Sequence, residues 1–429
     1  MREMKYSGVE WIGDIPEDWM VMPNKYLMKK KKQICSHYNG EDIISLSMNG
    51  VIVRDLDAGG KMPLTFDGYQ YIEKGNLLMC LFDIDVTPRC IGIIKCNGLT
   101  SPAYSQFVLT EKANAEYYNY YYTMLDNYKI LVHLAKNLRH SLTEEQLGLI
   151  STIVPPILKQ QAIADILDRK CTQIDALIAN EEQQIAKLKA YKQSVITETV
   201  TKGLNPDVPM KDSGVEWIGE IPESWSIVPL KSLFFFKKGL PITKENLIEN
   251  GTPVISYGQI HAKWNTGVTI HQELKRFVSE TYITSNPNSI VKSGDFIMAD
   301  TSEDLDGCGN CAYVDTDEIL FAGYHTIVLS SYEKTNNKYL AYLFLTDAWR
   351  SQIRKSVTGV KLFSISRRIL GKMSILLPNN PTEIVSFLDK KCEQIDRLIA
   401  IKQQKIEKIQ QYKKSVIYEY VTGKREVST

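Results

Sequence analysis

LDRKCTQIDALIANEEQQIAKLKAYKQSVITETVT, residues 167–201, returns at 388–422 as LDKKCEQIDRLIAIKQQKIEKIQQYKKSVIYEYVT, with 21 of 35 positions identical. Neither copy contains Pro or Gly, and apolar residues recur in steps of three and four, the period of an amphipathic helix. A helix of about 40 residues is roughly 60 Å long and stays ordered only if its apolar stripe is buried. Each copy could pack on its own globular module, or the two stripes could pack on each other. A stripe that runs the whole length and repeats in both copies favours the second arrangement, a coiled coil. The expected pairing residues are Leu167, Ile174, Leu177, Ile178, Ile185 and Leu188 in the first copy. In the second they are Leu388, Ile395, Leu398, Ile399, Ile406 and Ile409. Copies related by a twofold axis run antiparallel, with one module at each end of a rod. Asp in place of Leu177 or Leu398 is then expected to bury an unpaired charge.

A second block is also duplicated. SGVEWIGDIPEDW at 7–19 returns at 213–225 as SGVEWIGEIPESW, with 11 of 13 positions identical. Between the repeated blocks, stretches 26–160 and 232–383 barely resemble each other. Two unlike modules are mounted on two copies of one frame, and a kept frame with divergent cargo points to cargo that sets specificity. Two copies are too few for a solenoid.

Each module has mixed punctuation. In the first, β-type runs at 42–46, 76–82 and 90–96 precede a Tyr-rich helical segment at 115–125. The second repeats the order with 252–257, 294–300 and 320–330 before a helix at 337–355. The expected fold class is α+β: two mixed α/β domains separated by a pair of long antiparallel helices. The expected division is 1–160, 161–203, 204–383 and 384–429.

Charge narrows the partners. Of the 429 residues, segment 1–160 carries 17 basic and 18 acidic side chains, and 204–383 carries 18 and 20. A protein that grips DNA alone through phosphates needs a strong basic excess. Either nucleic acid is not the ligand, or a partner supplies much of the grip. Residues 1–11 lack the apolar segment of a signal peptide, and no apolar run approaches the roughly 20 residues of a membrane span. A cytoplasmic protein with reduced thiols is expected. Cys308 and Cys311 form a lone C-x-x-C in a Gly-rich turn, without the second pair a structural zinc commonly uses. The six histidines lack metal-ligand spacing, so no metal is expected. Walker A, GxGxxG, HExxH and GxSxG motifs are absent, as is an Asn/Asp-Pro-Pro-aromatic tetrapeptide, and no catalytic set stands out.

The chain resembles the DNA-specificity (S) subunit of type I restriction–modification systems. The resemblance covers essentially the full length. It is carried by W-I-G-x-I-P-x-x-W at Trp11–Trp19 and Trp217–Trp225, by Pro-Pro-Ile-Leu-Lys-Gln-Gln at 155–161, and by both L-D-x-K-C-x-Q-I-D-x-L-I helices with their Y-K-x-S-V-I endings. The stretch at 377–383, Leu-Pro-Asn-Asn-Pro-Thr-Glu, departs from the usual Pro-Pro-x-x-Glu-Gln form. The resemblance implies a non-catalytic subunit with two target-recognition domains, each reading half of a bipartite site in double-stranded DNA. It also implies two copies of an adenine-N6 methyltransferase subunit docked on the helices, and a restriction translocase in the larger complex. S-adenosylmethionine is expected on the methyltransferase, and no cofactor on this chain. The alternative is a coiled-coil scaffold without DNA function. Base edges are read by polar side chains on exposed segments. The candidates are Asn49, Arg54, Arg89, Tyr104, Arg139 and His140 in the first module, and Tyr257, Gln259, His261, Lys263, Trp264, Lys361, Arg367 and Arg368 in the second.

Overall fold

The computed structural model describes residues 2–427 apart from 49, 59–62, 88, 136–139, 333–336 and 360. The chain divides into two compact units, Met1–Gln183 with Lys402–Thr429, and Gln184–Ile401. The long helices span Ile157–Lys202 and Pro381–Val421. Each unit therefore combines one module with a portion of both helices.

In the first unit the module is built on a four-stranded antiparallel sheet. Its strand order is Met28–Lys31, Tyr104–Leu109, Leu77–Cys80, Ile91–Ile93. Leu77–Cys80 is buried along its whole length, which explains its unbroken apolar reading. The Tyr-rich segment forms a helix, Ala115–Asn127, started by Asn114, whose side chain accepts from the Tyr117 amide. Tyr117, Tyr118, Tyr121 and Tyr122 are all buried. A buried phenol needs a hydrogen-bond partner. Tyr117 donates to the Val421 carbonyl at 2.8 Å, Tyr118 to the Ile153 carbonyl at 3.1 Å, and Tyr122 to Asn24 Oδ1 at 2.6 Å, whereas the Tyr121 hydroxyl is buried without a partner.

The second unit has the same sheet although its sequence differs. Phe234–Lys238, Thr326–Ser331, Phe296–Ala299 and Cys311–Tyr313 follow one another antiparallel in the same order. A second sheet, Arg276–Val278, Thr252–Ile255, Leu320–Ala322, Ile290–Val291, contains one parallel pair. The first unit has the counterpart of this layer as two antiparallel pairs, Gly50–Val53 with Ile44–Ser47 and Gly98–Thr100 with Gln70–Ile72, joined by a parallel bridge between Ile43 and Leu99.

The attachment of module to helix is also duplicated. Tyr339 donates to the Val200 carbonyl at 2.8 Å, as Tyr117 does to Val421. Tyr120 donates to Asp168 Oδ1 and Tyr342 to Asp389 Oδ1, both at 2.6 Å. Asp168 and Asp389 are equivalent in the helical repeat, as are Val200 and Val421. The opening motif closes the same joint. Gly203 (φ 83°) and Gly423 (φ 73°) end the helices in the left-handed conformation. A Cβ on Gly203 would lie 3.2 Å from the Trp225 ring, and one on Gly423 2.8 Å from the Trp19 ring.

Within each unit the helices run antiparallel. In the first, Asp175 meets Lys413 at 2.6 Å, and Glu181 meets Lys405 at 2.6 Å and Lys402 at 3.0 Å. In the second, Lys192 meets Asp396 at 2.7 Å. Leu167, Ile174, Ile185, Leu388, Ile395 and Ile406 are buried, and Ile178, Leu188, Ile399 and Ile409 are half-buried. Leu177 and Leu398 are not part of the pairing, with 55% and 49% of their surface exposed. The seam follows 167, 171, 174, 178, 181, 185 and 188, alternating steps of four and three, and Leu177 falls one residue off it. An Asp at either position meets solvent rather than a packed core, which overturns the expectation for those substitutions. Toward their ends the helices also enter the module cores. Leu167, Cys171, Val416 and Ile417 join the first core, and Ile196, Val200, Leu388 and Cys392 the second. Module packing and helix pairing thus both occur, on different stretches of the same helices.

Among the described residues no helix is long and apolar enough to cross a membrane. Cys308 and Cys311 are buried in the apolar core of the second module, where burial pushes the Cys311 thiol up to about 12.

Leu388→Ala is expected to destabilise the chain by about 2–5 kcal/mol through cavity formation, whereas Leu398→Ala stays within about 0.5 kcal/mol. Urea midpoints of the two variants check the contrast. Glu181 is held below the ordinary carboxylate range by hydrogen bonds from Lys405 and Lys402. Its lowered folded value means that the pairing contributes fully above the unfolded carboxylate pKa of about 4.3, and is lost as pH falls through the folded value. The stability gap between wild type and Glu181→Gln should therefore be largest near neutral pH and shrink on acidification. Denaturation at a series of pH values reads it directly.

Candidate nucleic-acid interface

Both modules gather polar side chains where one central strand leaves the sheet. In the first this strand is Leu77–Cys80. Tyr104, paired with Cys80, begins the neighbouring strand and is half-buried. Burial pushes its phenol up, while the nearby Arg54 charge pulls it down. Arg54 follows the hairpin strand Gly50–Val53, and its amide donates to the Ile43 carbonyl at 2.7 Å. Arg89 lies half-buried in the loop that follows Cys80. His140 (φ 42°) closes on that loop, its carbonyl accepting from the Ile84 amide at 3.2 Å. The His140 Nδ1 atom is buried without a hydrogen-bond partner. Arg54, Arg89, Tyr104 and His140 are thus brought to one strand exit. Asn49 and Arg139 lie outside the described residues.

In the second module the corresponding strand is Phe296–Ala299, and an aromatic cluster stands at its exit. The Tyr257 ring centroid lies 6.3 Å from His261, 5.7 Å from Tyr324 and 5.4 Å from His325. His261 is held on both nitrogens, Nε2 against the Thr301 carbonyl at 2.9 Å and Nδ1 against Asn310 Nδ2 at 3.1 Å. Asn310 Oδ1 in turn accepts from Arg350 at 2.6 Å. An open cavity of about 420 Å³ beside the cluster is lined by Lys238, Asp300, Tyr324, His325 and Arg367.

The remaining candidates separate by environment. Gln259 is half-buried. Its Oε1 accepts from the Ser256 amide at 3.1 Å, which caps the turn Tyr257–Ile260. Lys263, Trp264, Lys361 and Arg368 are exposed, and Arg367 is half-buried at the start of a short helix capped by Ser366. Sequence reasoning missed Asp300, Tyr324, His325 and Arg350. No local pattern marks them, and only the left-handed backbone at His325 (φ 54°) singles that residue out.

Both sites offer hydrogen-bond donors, acceptors and ring faces on fixed backbone, the chemistry of base-edge recognition. The cysteines with a resolved shift, Cys80, Cys90, Cys171, Cys308, Cys311 and Cys392, are all raised by burial, which keeps these thiols protonated.

Residues 222–411 match the type I restriction modification DNA specificity domain. The chain is 28% identical over 275 residues to the type I restriction enzyme MjaVIII specificity subunit of Methanocaldococcus jannaschii, a match covering 63% of this chain and 61% of that relative. It is 25% identical to the putative type I restriction enzyme MjaX specificity subunit of the same organism, over 100% of this chain and 98% of the relative. In fold it is similar to a solved chain from a study of complex assembly and conformational transition of the type I restriction–modification system. The TM-score is 0.68 at 11% identity, over 95% of this chain and 98% of that one. Residues 222–411 thus match the DNA specificity domain, and along its whole length the chain is similar to type I restriction enzyme specificity subunits.

Proposed function

We propose that the chain is the DNA-reading subunit of a type I restriction–modification complex and performs no catalysis itself. Residues 1–160 and 204–383 act as target-recognition domains, each taking one half of a bipartite double-stranded site. The helical segments 161–203 and 384–429 set the spacing and carry two copies of an adenine-N6 methyltransferase subunit. A restriction translocase joins the larger complex. S-adenosylmethionine belongs to the methyltransferase, and the assembly works in the cytoplasm.

One observation carries this reading. Two modules share a sheet order and an attachment, yet present different side chains at the same strand exit. Leu142 donates to the Leu81 carbonyl at 2.8 Å in the first module, and Ile365 to the Asp300 carbonyl at 2.7 Å in the second. This contact aligns the two exits residue by residue. A scaffold that only joined partners has no use for such divergence on a kept backbone. The near-neutral modules support a partner that supplies much of the phosphate grip. The exposed apolar side chains Leu177 and Tyr412 in one unit, and Tyr191, Leu398 and Ile401 in the other, give such a partner a surface on the helices.

Exchanging residues 26–160 for the matching module of a homologue should change one half of the methylated site and leave the other half intact. Methylome sequencing of cells expressing the chain with its methyltransferase reads both halves, and a change in both would contradict independent modules. The purified chain alone should bind a specific duplex weakly at physiological salt. Adding the methyltransferase should raise affinity and steepen the salt dependence, as followed by fluorescence anisotropy.

A further inference from the structure

The strand-exit alignment shows which side chains the fold itself does not need. Cys80 pairs with Tyr104 in the first module, and Ala299 with Thr326 in the second. Leu81 and Ala103 therefore stand where the second module has Asp300 and His325. Thr143 and Ser366 cap equivalent short helices, so Glu144 stands where the second module has Arg367. An apolar pair and a carboxylate occupy these places in one module, and a carboxylate, an imidazole and a guanidinium in the other. The second set is not a requirement of the sheet or of the cap.

That set is also unspent. Asp300 Oδ1 is buried against His325 Nδ1 at 3.4 Å, while Oδ2 accepts no hydrogen bond among the described residues. Arg367 makes no hydrogen bond or ion pair among the described residues. Asp300 and Arg367 line the same open cavity, and the Ile365 amide bound to the Asp300 carbonyl ties their two segments together. The cavity thus offers one fixed acceptor and one planar fork of donors.

Resting on the DNA-reading function proposed above, we infer that Asp300 and Arg367 read a single C·G base pair in the half-site of the second module. In the major groove this pair alone sets an amine donor to one side of two adjoining acceptors, cytosine N4 next to guanine O6 and N7. A carboxylate accepts from the first, and a guanidinium donates bidentately to the others. Asp300 is the cytosine acceptor and Arg367 the guanine donor. His325 is a positioning residue that holds the carboxylate. A·T pairs are rejected because the thymine O4 and methyl, or the adenine amine, would leave one of the two groups facing a like partner or none.

The test uses the complex of the full chain with its methyltransferase on a DNA library randomised over both half-sites, with methylated products sequenced. The wild type should require C·G at one position of the second half-site. Asp300→Asn, which turns an acceptor into an amide suited to adenine, should shift that position toward A·T. Arg367→Lys keeps the charge and loses the fork, and should lower discrimination there by roughly 5- to 150-fold. The first half-site should be unchanged in both variants. Because Arg367 is half-exposed and unpaired, its variant tests the inference even if Asp300→Asn misfolds. A wild-type second half-site without a required C·G pair, or an Arg367→Lys complex with every preference intact, overturns this inference alone. A wild type with no bipartite preference overturns the proposed function as well.

Discussion

A phenol hydroxyl on a carbonyl in the last turn of a long helix is the contact around which each half of this molecule is organised. A helix ends with carbonyls that have no partner within it, and burying them unpaired is costly. Tyr117 satisfies Val421 and Tyr339 satisfies Val200, so the end of a long helix can sit inside a module core. The Trp of each opening motif covers the glycine that follows. Tyr120 and Tyr342 then fix rotation by reaching an Asp on the other long helix of their unit. Three contacts of this kind hold the module whatever its remaining residues are.

The same economy explains why the frame repeats and the cargo does not. Residues that touch the helix ends are constrained by hydrogen-bond geometry and close packing. Several residues at the strand exits, among them Arg89, Tyr257 and Arg367, are partly exposed and free of the helix contacts. The second layer is kept as well, and the modules differ there mainly in the parallel contact at its centre, a two-residue pairing in the second module and a single bridge in the first.

Much of the fold was legible because it is periodic. The helices announced themselves through an unbroken stripe, and the two halves through identity of their opening motifs. The stripe was nevertheless read too wide. A face drawn at 3.6 residues per turn took in Leu177 and Leu398, whereas two paired helices bury the narrower 3.5-residue seam. Sheet order was not legible, since strand pairing joins residues far apart in sequence. The interface was half legible for the same reason. Tyr257, His261 and Arg367 were visible as polar residues near turns, but Asp300 and His325 meet only because two strands exit side by side. Gln259, expected as a reader, also caps its own turn through its amide oxygen.

The seam also holds one place where the two copies differ in charge. Glu181 and Lys402 are equivalent in the repeat, and they meet each other at 3.0 Å with Glu181 buried. Were either helix to pair with a second copy of itself, this point would set Glu against Glu or Lys against Lys. Charges of one sign in a shielded seam repel. The mismatch between two otherwise kindred helices makes each the other's preferred companion, and biases the chain toward closing on itself rather than exchanging halves with a neighbour.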